Sequence, residues 1–248
     1  MLTSSLEDVV VRLEAIIDWA QYHQSRLGYF AALYRKMTIR VQEAVAAGRF
    51  DDNDRMIQIG VIFANRYIEA FDAYRLEHMP TQVWRLAFEA AQTWRPLVVQ
   101  HLLLGMNAHI NLDLGIAVAR SVTPDVLPHV RDDFDKINDI LANLIDQVQA
   151  ELTEIWPLHG LLDWIGGRHD EVIINFSLTK ARAQAWRIAT RLAPLTEAEQ
   201  DREIVALDQL TTALGRFIRH PGMITSAFLS VIRLGERGTT SEIIEILK

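Results

Sequence analysis

The chain has 248 residues, half of them apolar and 23% charged, with no cysteine. That length can bury one large core or two small ones, and the composition excludes a disordered chain, a disulfide scaffold, a zinc finger and a cysteine nucleophile. Its 25 basic and 32 acidic residues leave a formal charge of −7, which argues against phosphate-backbone binding to nucleic acid and against a basic membrane face.

The N-terminal string Met1-Leu-Thr-Ser-Ser-Leu-Glu-Asp8 carries neither the basic nor the apolar region of a secretory signal. Together with the missing cysteines, this gives the expectation of a cytoplasmic protein. Ser4 and Glu7 read as a capping box that opens a first helix, with Val9, Leu13, Ile16, Ile17 and Ala20 at helical spacing. A second helix runs from Gly28 to Ala47 and ends at Gly48. The polar run Asp51-Asp52-Asn53-Asp54 breaks the chain before a third, Ile57 to Leu76, and Pro80 starts a fourth to about Trp94. Pro96 turns the chain into a helix of about residues 97–119. Thr123-Pro124 and Leu127-Pro128 mark a loop, and residues 131–155 form a long helix ended by Pro157. Gly166-Gly167 is a weak internal break, and helices are expected again over 170–193, 196–219, 222–235 and 240–247. With 12 Gly, 7 Pro and no period-two alternation, the fold class is all-α. The expectation is a compact bundle of about ten helices, one domain over 1–248, built around the helix 97–119.

That central helix carries the chemistry. Pro96 to Leu112 holds no Asp, Glu, Lys or Arg, and by length it could span a bilayer. Its Gln100, His101, Asn107, His109, Asn111 and Asp113 are too many polar groups for a lone span and suit a helix buried among other helices. At about 100° per residue, His101, Gly105, His109 and Asp113 share one flank, while Gln100, Asn107 and Asn111 lie nearly opposite. Buried polar groups cost about 1–3 kcal/mol each when unpaired, so protein, water, metal or ligand must satisfy them. The i, i+4 spacing of His109 and Asp113 suits a hydrogen bond that fixes the imidazole tautomer, or two ligands to one metal. His109 is the candidate base and Asp113 its orienter. His101, His109, Asp113 and Asp133 are candidate ligands to zinc, iron or manganese.

Arg182 falls on the apolar arc of helix 170–193 and needs an acidic or carbonyl partner, with Asp113, Asp133 or a ligand anion as the acidic candidates. Asn107, Asn111, Arg182 and Tyr67, which could lend a hydroxyl, are the candidate ligand contacts. Asp133 also lies in the first turn of its helix, where a carboxylate satisfies free N–H groups. Asn65, Glu69 and Asp72 form a stripe that reads as a solvated face, because Gln58, Arg66 and Glu77 lie near the same arc. Trp84, Trp94 and Trp186 read as core. No glycine-rich phosphate loop, G-x-S-x-G, H-E-x-x-H or E-x-x-H is present.

The string Gly105-Met-Asn-Ala-His-Ile-Asn-Leu-Asp-Leu114, preceded by His101-Leu-Leu-Leu, resembles the signature of a mostly bacterial all-helical family, a domain of unknown function. Asp133-Phe134, Ile137-Asn138-Asp139, Ala181-Arg182, Ala185-Trp186, Arg66-Tyr67 to Asp72 and Trp84 to Phe88 are similar to the rest of its pattern, over about residues 25–236. The resemblance implies that His101, Asn107, His109, Asn111, Asp113 and Arg182 belong to that pattern, without assigning them a role. Two readings follow: a helical protein with a polar pocket for a small molecule or metal, or a scaffold whose polar groups close on one another. Self-association is compatible with both.

Overall fold

The computed structural model describes residues 2–155, 178–222, 229–230 and 233–248. Among them are nine helices and no strand: α1 (Leu6–Tyr22), α2 (Gly28–Ala46), α3 (Asn53–Arg75), α4 (Gln82–Ala91), α5 (Val98–Ser121), α6 (Arg131–Ile155), α7 (Leu178–Leu192), α8 (Glu197–Arg219) and α9 (Thr240–Leu247). A short 3-10 turn, Leu127–Val130, leads into α6. The expected break at Gly166-Gly167, the end at Pro157 and the start of helix 170–193 lie outside the described residues, as does most of the helix expected over 222–235.

Local chemistry sets the helix ends. The first cap is Ser5 rather than Ser4: Ser5 is extended and its hydroxyl accepts from the Asp8 amide at 3.0 Å, while Ser4 donates to the Asp8 carboxylate. Asp52 accepts from the Arg55 amide at 3.0 Å, so α3 begins several residues before its apolar periodicity becomes visible. Reciprocal capping boxes, Thr196 with Glu199 and Thr239 with Glu242, open α8 and α9.

Helix α5 runs through the middle, packed by α2, α3, α4, α7 and α8. By length and composition it could cross a membrane, but the surrounding helices bury nearly all of it, which is the arrangement of a core helix. Two glycines allow the closest approaches. A Cβ on Gly115 would sit 2.7 Å from Ile188 Cγ2 and 2.8 Å from the Ala185 carbonyl, so α5 and α7 cross there almost backbone to backbone. A Cβ on Gly105 would lie 2.4 Å from the Phe30 ring, so an aromatic side chain of α2 occupies that space. Between these glycines, His109–Leu114 is a π-helical turn, with α-helix on both sides. A π-helical turn is wider than an α-helical one, and such turns concentrate at functional positions.

Candidate functional site

The π turn carries the candidate pair. Asp113 is 1% exposed. Its Oδ1 accepts from Arg66 Nε of α3, and its Oδ2 from the Trp84 indole N–H of α4, each at 2.7 Å. His109 Nδ1 makes a longer contact to Oδ2, at 3.4 Å. Burial raises the Asp113 pKa, but the Arg66 charge, then His109 and Trp84, outweigh it, so the carboxyl stays ionised below its ordinary range. Burial lowers His109 despite Asp113, leaving the imidazole neutral at pH 7. A neutral ring that directs Nδ1–H to Asp113 has its acceptor lone pair on Nε2. That Nε2 is buried and has no hydrogen-bond partner. Aromatic rings fix the imidazole plane: Phe63 stacks on it at 3.5 Å and 9°, and Tyr34 meets it edge-on at 4.4 Å.

His109 lines a cavity of about 90 Å³ whose walls are otherwise largely apolar, including Phe63, Met37, Met56 and Met106. Arg182 of α7 also lines it. Its Nε donates to Asn138 Oδ1 at 2.6 Å, its Nη2 to the Phe134 carbonyl at 2.5 Å, and the guanidinium lies over the Phe134 ring. Burial pulls its pKa down to about 10, against the opposing charge of Asp135. The structure does not pair Arg182 with Asp113 or Asp133: those carboxylates are taken by Arg66 and Lys136, and Asp135 by Arg131. Asp113 and Arg66 also border a second cavity, of about 210 Å³, with Glu69, Thr81 and Trp84.

The other predicted residues separate from this pair. Gln100, Asn107 and Asn111 form a closed stripe against α8. Gln100 Nε2 donates to the Ile218 carbonyl at 2.8 Å, Asn107 Nδ2 to the Thr211 carbonyl at 2.9 Å, and Asn111 Nδ2 to Asn107 Oδ1 at 3.0 Å. Asn107 and Asn111 therefore dock two helices and do not line the cavity. Tyr67 belongs to the aromatic cluster around His109, 6.2 Å between ring centres, and its buried hydroxyl is unpaired.

The four candidate metal ligands are not brought together. Asp133 accepts from the Asp51 and Asp52 amides and from Lys136, tying α6 to the loop before α3. His101 packs near Tyr29, with neither ring nitrogen hydrogen-bonded. No group of three or more His, Asp or Glu that could hold a metal occurs among the described residues. The remaining pair is poorly suited to one, because both Asp113 oxygens already accept hydrogen bonds and one faces a guanidinium.

Sequence reasoning missed Arg66, Trp84 and Phe63. Arg66 was grouped with a solvated face, yet that stripe divides: Asn65 bonds Thr3, Asp72 pairs with Arg12, and Arg66 turns inward to Asp113. The available signal was Asp113 itself, a carboxylate on a neutral helix that requires a cation from elsewhere.

A family described as "Family of unknown function (DUF5995)" matches residues 6–221, from the first residue of α1 to just past α8. The chain belongs to DUF5995. No curated protein and no solved structure matches it. The matched DUF5995 region holds the His109–Asp113 pair, Arg66, Trp84 and Arg182, and it ends before α9.

Proposed function

We propose that this protein binds a small, largely apolar molecule in the cavity beside His109, which accepts one hydrogen bond from it. One observation carries the reading: His109 Nε2 is a buried acceptor without a partner, on a ring that borders an apolar cavity. Burial keeps the imidazole neutral against the pull of Asp113, and Asp113, held by Arg66 and Trp84, orients it. The same geometry would let His109 take a proton from a bound hydroxyl or amine, as a general base does. A cytoplasmic location and the absence of a nucleic-acid partner are part of this reading, supported by the acidic balance of the chain. The scaffold reading finds its support in the Gln100, Asn107 and Asn111 stripe, which is closed on protein.

The test uses hexanol and methionine-methyl NMR. Hexanol should shift the methyls of Met37, Met56 and Met106 saturably and leave the exposed Met79 unmoved. Pentyl methyl ether has the same size but no O–H, and should bind roughly two- to tenfold more weakly, the range of one net hydrogen bond. Absence of saturable shifts at those three methyls would overturn the proposal.

A further inference from the structure

We infer that the molecule this cavity takes is a short-chain carboxylic acid, its carboxylate held by Arg182 and its hydrocarbon lying along the Met37, Met56 and Met106 wall. The inference rests on the proposed reading of the cavity as a binding site and adds the ligand's chemical class at its other end: the carboxylate meets Arg182, and a hydroxyl on the chain is what His109 accepts from, since an ionised carboxylate has no proton to donate.

The argument starts from charge. Arg182 is 5% exposed, yet among the described residues no carboxylate lies within ion-pair distance of it. Its two hydrogen bonds go to neutral oxygens, the Asn138 amide and the Phe134 carbonyl, through Nε and Nη2. A guanidinium has five N–H donors, and among the described residues these two bonds engage only Nε and Nη2. Buried cations are ordinarily paired, and an anion brought to an unpaired one recovers attraction that water no longer screens. The guanidinium fork matches a carboxylate or a phosphate. The carboxylate is favoured here because its single charge equals that of one guanidinium, whereas a phosphate would bring a second charge into a wall of methionine, leucine and phenylalanine.

Size and shape limit the tail. About 90 Å³ is less than the roughly 150 Å³ cavity that accepts benzene in an engineered protein core, so the enclosed part takes only a few carbons and the rest of a six-carbon chain lies in the opening beside Met37, Phe63 and Met106. The three methionines are unbranched and polarisable, and they can shift to fit an alkyl chain. Met37, Phe63 and Met106 are only half-buried, which places the approach to the cavity on their side.

The experiment compares hexanoate, hexanol and hexylamine on the full chain at pH 7, followed by methionine-methyl shifts and calorimetry. Hexanoate should bind about tenfold or more tighter than hexanol, as expected for a charge-assisted pair, and hexylamine weakest. Asn138→Asp supplies Arg182 with a carboxylate of its own while keeping the existing contact. It should abolish the hexanoate preference and leave hexanol binding within about twofold. Arg182→Met should likewise abolish the hexanoate preference where it folds. If hexanol binds and hexanoate binds no tighter, the carboxylate inference fails while the cavity reading stands. If neither ligand binds, both fail. If Asn138→Asp keeps the full hexanoate preference, Arg182 is not the contact and the inference is overturned.

Discussion

His101 and His109 lie eight residues apart on one helix, and their surroundings differ. His109 has a carboxylate neighbour, while His101 has none in hydrogen-bond contact and is surrounded by the charges of Arg26, Arg233 and Arg219. Burial and then those three charges push the His101 pKa down to about 3. The unfolded chain, with an ordinary histidine near 6.5, therefore takes up the proton first as the pH falls. The stability contributed by a neutral His101 is complete above about 6.5 and is lost progressively toward about 3. Urea unfolding measured from pH 7 to pH 4 should lose up to about 1.4 kcal/mol per pH unit on account of this ring. The profile of His101→Phe should be distinctly shallower. It should not be flat, because burial lowers His109 in the same sense. An equal slope in the variant would show that His101 does not titrate in this way.

At the scale of elements, the crossing of α5 and α7 at Gly115 sets two effects against each other. By helix propensity alone, Gly115→Ala should stabilise the chain by up to about 1 kcal/mol. The new methyl would meet the Ala185 carbonyl and Ile188 at under 3 Å, and backbone cannot turn aside as a flexible side chain can. Overpacking costs typically about 1–3 kcal/mol, so the net effect should be destabilising, read as a lower urea midpoint with an unchanged slope. A stabilised variant would mean that the two helices can separate at little cost. The crossing also marks what the sequence could convey. Helical periodicity located the described helix ends to within a few residues, the start of α7 lying outside the described residues, because each helix presents one apolar face to the core. It also divided the polar groups of α5 into two flanks, one of which proved to be a structural seam against α8. It did not reveal the π turn, since 100° per residue presumes the regularity that the turn breaks. Nor did it find Arg66 and Trp84, which reach Asp113 from α3 and α4 through contacts that no local spacing encodes. The four candidate metal ligands do not meet among the described residues, because His101 and His109 find different neighbours along one flank and Asp133 is tied to the loop before α3.

For the whole molecule, the C-terminal stretch is a structural member although it lies beyond the family match. Ile243, Ile244 and Leu247 of α9 are buried against α1, α2 and α6. Upstream, Glu236 accepts from the Val98 amide at 2.8 Å, capping the first turn of α5, and Arg233 pairs with Glu236 while lying over Trp94. Three large apolar side chains at about 1.5–3 kcal/mol each amount to much of a domain's total stability of about 5–15 kcal/mol. A chain cut after residue 238 should therefore lose its cooperative thermal transition, or show a Tm lower by well over 10 °C in calorimetry. An unchanged transition would mean that α9 rests on the bundle without supporting it.

Helix α5 has a consequence for biosynthesis. Among the described residues it is the one helix long and apolar enough to cross a membrane, and it leaves the ribosome about a hundred residues before α8, whose carbonyls receive Gln100 and Asn107. At 5–20 residues per second, those side chains wait roughly 5–20 s for their partners. During that interval the nascent polypeptide displays an oily segment long enough to be mistaken for a membrane anchor, and a holding chaperone would find its target there.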